Sequence, residues 1–104
     1  MACWKDEESG ISWYYDDDFD LSTWKNQDQL DEGFRLPTVQ EVLTLLDYDN
    51  PYPAIKDSCP FKHIKSVWSK HSYGNNLSFS IDLFTGQVYK STKDNPRLLI
   101  LIKE

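Results

Sequence analysis

The chain has little of what most catalytic and metal sites require. Four glycines in 104 residues provide no glycine-rich phosphate loop and no Gly-x-Ser-x-Gly element for a serine nucleophile. The two histidines, His63 and His71, have no cysteine or histidine partner at metal-ligand spacing. Cys59 and His63 lie in a loop interrupted by Pro60, which makes a weak candidate for a thiol nucleophile. We therefore predict a protein that is not an enzyme and needs neither cofactor nor metal.

The sequence also has few cysteines and only short apolar runs, and its first residues do not have the pattern of a signal peptide. Cys3 and Cys59 are too few for a disulfide framework, so we expect reduced thiols, with one disulfide as the alternative. The longest apolar run, residues 98–102, is far shorter than a membrane span. The first eight residues lack the basic and apolar regions of a signal peptide. These features predict a cytoplasmic protein, in the host cytoplasm if it is phage-encoded.

Acidic residues, by contrast, are abundant and concentrated at one end of the chain. Residues 1–32 hold ten acids and two bases, a balance of −8, whereas the remainder holds seven acids and nine bases, a balance of +2. The two sum to the net charge of −6. This distribution favours a partner with a basic surface and disfavours direct nucleic-acid binding, with a merely solubilising acidic face as the alternative. Only a modest basic patch opposes it, formed by Lys56, Lys62, Lys65 and Lys70.

The run of aspartates in the acidic third resembles a calcium loop only at first sight. Asp16, Asp18 and Asp20 alternate as hard oxygen ligands would. An EF-hand loop that began at Asp16 would need glycine at its sixth position and glutamate at its twelfth, where Leu21 and Gln27 stand. The EF-hand reading therefore fails, and a looser calcium site is left as the alternative to a solvated acidic turn.

One helix has a clear start signal. Thr38 follows Pro37, and Glu41 three positions later completes a capping box. Apolar side chains recur at helical spacing after it, at Val39, Val42, Leu43, Leu45 and Leu46. Pro51 and Pro53 cannot continue the helix. A second, shorter helix is predicted from the Ser22-Thr23 cap to Leu30.

The remaining signals are those of strands and turns. Aromatic residues predict a strand over 11–15, and alternation predicts a half-buried strand over 77–84. Thr85-Gly86 predicts a tight hairpin into residues 87–90, and further strands are expected over 66–69 and 97–103. We predict an α+β fold, with one or two helices packed on a twisted, mostly antiparallel sheet and β-hairpins dominating the carboxyl-terminal half. Residues 1–8 are expected to form a flexible tail and residues 9–104 a single domain.

The segment from Gly33 to Glu41 also resembles a known family. Gly-Phe-Arg-Leu-Pro-Thr-x-x-Glu is similar to the central motif of the collagen-like-protein carboxyl-terminal (Lcl-C) domains. Shorter matches follow in the family's order, at Pro53-Ala54-Ile55, Val67-Trp68-Ser69 and Ile81–Gly86, and Ser9–Trp13 resembles its opening. The motif is also similar to those of formylglycine-generating-enzyme-like and C-type-lectin-like domains, although the catalytic cysteine pair of the former has no counterpart. The resemblance implies the same compact α+β scaffold.

Structural roles are expected for the residues that carry the resemblance. Arg35 should form a semi-buried ion pair or backbone contact, and Pro37 and Thr38 should start the helix together with Glu41. Trp68 should pack in the core.

Function is therefore expected on the acidic, aromatic stretch that precedes the motif. We predict a non-enzymatic protein-binding module, a small acidic inhibitor that occludes the basic, nucleic-acid-binding surface of a partner, as anti-CRISPR proteins of similar composition do. The resemblance implies one alternative, a glycan-binding module, because relatives in the resembled family are adhesins. A small enzyme is a third hypothesis. The predicted partner-binding residues are Tyr14, Tyr15, Asp16, Asp17, Asp18, Phe19, Asp20, Trp24, Asp28, Asp31 and Glu32.

Overall fold

The computed structural model describes residues 2–15, 21–22, 33–50, 53–60, 66–95, 97–98 and 100–103. These residues form nine strands and one helix. The strands are β1 (Ala2–Lys5), β2 (Ser12–Tyr15), β3 (Leu21–Ser22), β4 (Phe34–Arg35), β5 (Ser66–Tyr73), β6 (Leu77–Asp82), β7 (Val88–Thr92), β8 (Arg97–Leu98) and β9 (Leu101–Lys103). The helix α1 spans Val39–Leu43. The prediction of mostly antiparallel sheet is confirmed, and the described residues add one short helix to it.

The first sheet has the strand order β1-β2-β9-β4, and its neighbouring strands are antiparallel. Its edge strand β1 pairs with β2 through four residues, from Ala2 opposite Tyr15 to Lys5 opposite Ser12. The prediction of a flexible tail over residues 1–8 is therefore wrong for 2–5. The sequence did not predict this strand, because residues 2–5 become a strand by pairing with β2. The aromatic pattern that predicted a strand lies in β2 itself.

The second sheet has the order β3-β8-β5-β6-β7. Its pairs are antiparallel except β5 with β8, which run parallel where Val67 lies opposite Leu98. Strand β5 is twice as long as the predicted 66–69, because it continues past a register shift between Trp68 and Ser72 to pair with β6. Leu21 and Ser22 pair with β8, so the residue at which the second helix was predicted to begin belongs to a strand. The rest of the predicted second helix lies outside the described residues.

The end of the chain joins the two sheets. The predicted single strand over 97–103 is divided, with β8 in the second sheet and β9 in the first. Ile100 lies between them and is fully buried. An apolar run cannot show by itself that its two halves pair with different sheets, because each half has the same β-propensity.

Helix α1 begins where the sequence predicted and ends earlier. Thr38 is its N-cap, and the capping box with Glu41 is complete. After Leu43 the backbone closes shorter turns, because the amides of Leu45 and Leu46 donate to carbonyls three residues back. Leu46 then forms a β-bridge with Ile55, so the apolar residues after Leu43 pack without prolonging the helix.

The core holds two apolar clusters. The larger surrounds Trp13 and includes Val42, Leu45, Ile55, Val67, Ile81, Leu83 and Ile100. The smaller comprises Leu36, Trp68 and Leu101, which confirms the expected burial of Trp68. The indole N–H of Trp13 is buried and has no hydrogen-bond partner within the described part of the chain.

The β6–β7 hairpin follows the predicted Thr85-Gly86 turn, and the turn between β5 and β6 also contains a glycine. Gly74 and Gly86 both have positive φ, at 70° and 81°, which favours glycine. The prediction of one buried and one exposed face for β6 is wrong, because Ser78 and Ser80 on the polar face are buried, whereas Leu77 and Phe79 on the apolar face are only partly buried. The two serine hydroxyls bond to the His71 carbonyl and the Ser91 hydroxyl, which lets the polar face of the strand be covered.

Candidate functional site

The predicted site begins on β2, where Tyr14 and Tyr15 immediately precede the aspartate run. Strand β2 lies between β1 and β9, so its backbone is paired on both sides. Both tyrosines are half-buried, and they point to opposite faces of the sheet: Tyr15 packs against the Trp13 cluster and Tyr14 against the Trp68 cluster. The two rings thus have internal packing roles and leave part of their surfaces exposed.

Tyr14 is positioned by contacts with β1, which is next to β2, and with β4, which lies beyond β9. Its ring meets that of Phe34 edge-on, with centroids 5.2 Å apart and an interplanar angle of 81°. A hydrogen bond with the exposed thiol of Cys3 raises the pKa of Tyr14. Lys103 lies opposite Phe34 on β9, with its ammonium 5.9 Å from the Phe34 centroid. A cation therefore borders this aromatic surface.

The other predicted partner-binding residues lie outside the described part of the chain. They are Asp16, Asp17, Asp18, Phe19, Asp20, Trp24, Asp28, Asp31 and Glu32. Their assignment to a binding surface stays a prediction. The structure does place the strand from which they continue, and it describes the remaining acids of the amino-terminal third.

One of those acids is internal. Asp6 is 1% exposed, and its Oδ2 lies 2.7 Å from Nζ of Lys56, which is itself buried. The Ser9 hydroxyl and the Glu8 amide also donate to the Asp6 carboxylate, at 2.8 and 3.2 Å. Burial alone would raise the pKa of Asp6, but the hydrogen bonds from Lys56, Ser9 and Glu8 outweigh it and hold this pKa below its ordinary value. Asp6 therefore stabilises the fold and contributes nothing to an acidic surface.

The same ion pair removes Lys56 from the predicted basic surface patch. Burial alone would lower the pKa of Lys56, but its contacts with Asp6 and Glu8 outweigh this and raise it. Its charge is held internally, between the β1–β2 connection and the loop after α1. Asp6 and Lys56 are fifty residues apart, and no sequence spacing connects them. Glu7 and Glu8, in contrast, are exposed in the turn beside Asp6.

The motif residues take the structural roles that the sequence predicted. Arg35 reaches from β4 to Glu41 and donates through Nη1 and Nη2 to its two carboxylate oxygens, at 2.8 and 2.9 Å. It also donates to the Leu36 carbonyl. Glu41 accepts from the Thr38 amide at 2.8 Å, while the Thr38 hydroxyl accepts from the Glu41 amide at 3.1 Å. The hydrogen bonds from Arg35, followed by those within the cap, lower the pKa of Glu41 to about 2. Pro37, directly before the cap, is buried.

A second set of contacts connects the loop after α1 to the β6–β7 turn. The Tyr48 hydroxyl donates to the Gly86 carbonyl at 2.9 Å, and the Tyr48 ring lies against the Gly86 Cα, where a Cβ would come within 2.5 Å of it. Tyr48 is 69% exposed, and Phe84 in the same turn is also exposed. Sequence reasoning identified the turn from Thr85-Gly86 but missed Tyr48, which no local pattern connects to it.

The residues considered for other chemistry are dispersed. Within the described residues, no three His, Cys, Asp or Glu side chains are grouped so as to hold a metal ion. Cys3 is exposed, whereas Cys59 is buried. The burial of Cys59 limits access to the thiol of the proposed Cys59–His63 pair, and His63 is outside the described residues.

Comparison with known families and with curated proteins finds no match for this chain. The Lcl-C resemblance accordingly stays a prediction from the motifs. In the ranges that the structure describes, no helix has the length and apolarity needed to cross a bilayer.

Proposed function

We propose that the chain is a non-enzymatic protein-binding module whose acidic, aromatic amino-terminal third covers a basic surface on a partner protein. The observation that carries the proposal is the charge distribution, −8 over residues 1–32 against +2 over the rest, or −7 against +1 once the buried Asp6–Lys56 pair is left out. Charge separation of this size steers a basic partner to one end of the molecule and accelerates association. A nucleic-acid-binding protein is the class of partner with the matching basic surface.

The described residues add support from the arrangement around β2. The paired strands β1 and β9 hold β2, and the buried Asp6–Lys56 contact anchors the connection between β1 and β2. A segment that continues from Tyr15 therefore starts from a firmly held strand. Aromatic rings beside carboxylates supply contact area together with charge, a combination common at interface centres.

The test is capture of host proteins on the immobilised chain, at low and at high salt. We expect a basic nucleic-acid-binding protein to be retained at low salt and released at high salt, since screening weakens exposed charge pairs. The captured protein is then purified and its affinity measured directly against variants. Retention of partners whose binding is independent of salt would contradict the proposal.

A pair of charge-matched variants makes the measurement specific. Replacing Asp16, Asp17, Asp18 and Asp20 with Ser changes the net charge from −6 to −2, and so does replacing Asp49, Asp57, Asp94 and Glu104 with Ser. Binding should be lost in the first variant and kept in the second, with both folded by circular dichroism. Equal binding by the two variants would refute an acidic surface in the amino-terminal third.

A glycan-binding function is the second candidate, and the exposed Tyr48 ring is the observation that favours it. This ring lies against Gly86 and is 69% exposed. Tyrosine rings with an open face stack on sugars, and the neighbouring Asp47 and Asp49 offer oxygen acceptors for hydroxyl groups. A glycan array tests it: defined hits that Tyr48→Ala abolishes would favour this function, and an array without hits would remove it.

A further inference from the structure

Strand β7 is an edge of the second sheet. It pairs with β6 on one side, from Val88 opposite Ile81 to Thr92 opposite Leu77. No strand among the described residues pairs with its other side. An edge strand of this kind presents a row of backbone donors and acceptors that can accept another strand.

The ends of the β6–β7 ladder show which groups face outward. The Asp82 amide donates to the Gln87 carbonyl at 2.8 Å, and the Lys93 amide donates to the Asn76 carbonyl at 2.9 Å. Antiparallel ladders alternate between hydrogen-bonded and non-hydrogen-bonded pairs. Counting in twos from either end, Tyr89 and Ser91 direct their backbone groups to β6.

Val88, Lys90 and Thr92 consequently direct theirs to the open side. The Thr92 carbonyl is engaged by the Asn95 amide at 2.9 Å. The open edge therefore offers the amide and carbonyl of Val88, the amide and carbonyl of Lys90, and the amide of Thr92. These five groups match the alternation of a short added strand.

The side chains along this edge combine apolar surface with positive charge. Val88 and Lys90 share a face with their opposite residues Ile81 and Phe79. The Phe79 ring contacts that of Tyr73 edge-on, and the Lys90 ammonium lies 3.9 Å from the Tyr73 centroid. Tyr73 and Val88 remain 54% and 41% exposed. The Tyr73 ring thus holds a cation beside exposed apolar side chains.

The charge of the edge indicates the partner. Residues 87–93 contain no acid, in a chain whose net charge is −6, and the next acid, Asp94, follows the end of β7. Of the two lysines in this range, Lys90 is exposed, whereas Lys93 is buried and donates to the Gly74 carbonyl. Pairing of two copies about Lys90 would set like charges directly opposite, which is unfavourable, and edge lysines commonly prevent such self-association. An added strand that carries a carboxylate would meet Lys90 with the opposite charge.

We propose that the open edge of β7 binds an extended segment of a partner protein, in which an Asp or Glu is flanked by apolar residues, as an added strand of the second sheet. The backbone groups of Val88 and Lys90 supply the pairing, and the Lys90 ammonium selects the acid. This surface differs from the acidic amino-terminal third, because it requires an acidic partner segment, whereas the acidic third requires a basic partner.

The test uses random peptides of about ten residues, a length that covers one strand, displayed against the immobilised full chain. Enriched peptides should alternate apolar residues around an Asp or Glu. Binding should slow hydrogen exchange of the Val88 and Lys90 amides by about tenfold or more, while the Tyr89 and Ser91 amides, already directed to β6, change little. Absence of enrichment, or protection elsewhere on the chain, would overturn the proposal.

Three variants separate backbone pairing from charge selection. Val88→Pro removes one outward amide at the first residue of the strand, where proline is tolerated, and should weaken peptide binding about tenfold. Val88→Ala keeps the amide and should retain most of the affinity. Lys90→Glu should lose the acidic peptides and instead bind versions with Lys in place of the acid. Unchanged binding of acidic peptides by Lys90→Glu would refute the charge argument even if Val88→Pro failed to fold.

Sedimentation of the chain without peptide tests whether a second copy of the chain occupies the edge instead. We expect a monomer in which Val88→Pro makes no difference, and a dimer that this substitution dissociates would assign the edge to a second copy. The variant with Asp16, Asp17, Asp18 and Asp20 replaced by Ser should bind the peptides normally. Its behaviour distinguishes failure of this proposal from failure of the acidic-surface function.

Discussion

Glu41 connects the start of the helix to the preceding strand through a single carboxylate. It closes the capping box with Thr38 and receives two hydrogen bonds from Arg35. We predict that Glu41→Gln will lower the free energy of unfolding at neutral pH, and that this effect will vanish in acid. Glutamine can still accept from the Thr38 amide, so the substitution removes mainly the charge and the paired contact with Arg35.

The magnitude follows from the pKa of Glu41, which lies at about 2 instead of 4.5. A shift of this size corresponds to ~3.4 kcal/mol if it is fully expressed as stability. Solvent still reaches 24% of the Glu41 side chain and 27% of that of Arg35. Screening at such a site reduces the contribution, so we expect a loss of ~1.5 kcal/mol in Glu41→Gln.

The pH dependence has a definite sign. The pKa of Glu41 is lower in the folded chain than its ordinary value of 4.5. Its stabilising contribution is therefore fully present above pH 4.5 and is lost as the pH falls towards 2. The wild-type chain and Glu41→Gln should converge in stability over this interval.

Urea unfolding followed by tryptophan fluorescence measures the difference at each pH, because comparison with the wild type cancels the other carboxylates. Glu7→Gln serves as the control, since Glu7 is exposed in the β1–β2 turn, and its substitution should have little effect at any pH. A stability difference for Glu41→Gln that persists at about pH 2 would refute the reasoning. So would a difference at neutral pH no larger than that of the control.

Three further outcomes are expected elsewhere in the structure. Lys56→Met should destabilise the fold by ~3–5 kcal/mol in urea unfolding, because it leaves the Asp6 carboxylate buried without its cation, and Asp6→Asn in the same chain should recover part of the loss. Gly86→Ala should cost ~1 kcal/mol more than Gly74→Ala, because both glycines have positive φ but only a Cβ at Gly86 displaces the Tyr48 ring; equal thermal shifts would contradict this. Cys3→Ala should lower the pKa of Tyr14 by removing the thiol hydrogen bond, and an unchanged Tyr14 titration by NMR would contradict that assignment.

Local features of the fold could be predicted because short segments specify them. The capping box at Thr38, the ion pair of Arg35, the turn at Gly86 and the burial of Trp68 were each indicated by neighbouring residues or by a motif. The hydrogen bonds of the capping box, the ion pair and the turn join residues a few positions apart, so residue type and spacing suffice for them. The burial of Trp68 was expected from the motif resemblance, although Trp68 packs against the distant Leu36 and Leu101.

Of the two candidate binding surfaces, one could be predicted from the sequence and the other could not. The acidic third was identified from charge alone, because net charge depends on composition and needs no contacts. The open edge of β7 could not be identified, since a strand becomes an edge only through the order in which strands assemble. The alternation that predicted β6 likewise could not show that its serine face would be covered.

Composition and local spacing by themselves determined the acidic amino-terminal third, the helix start and the turns of this protein. Tertiary structure alone decided that β1 joins a sheet, that the last apolar run serves two sheets, and that Lys56 is buried against Asp6. The physical reason is sequence separation. A contact between residues fifty positions apart forms only when the chain between them has folded, and no local propensity encodes it.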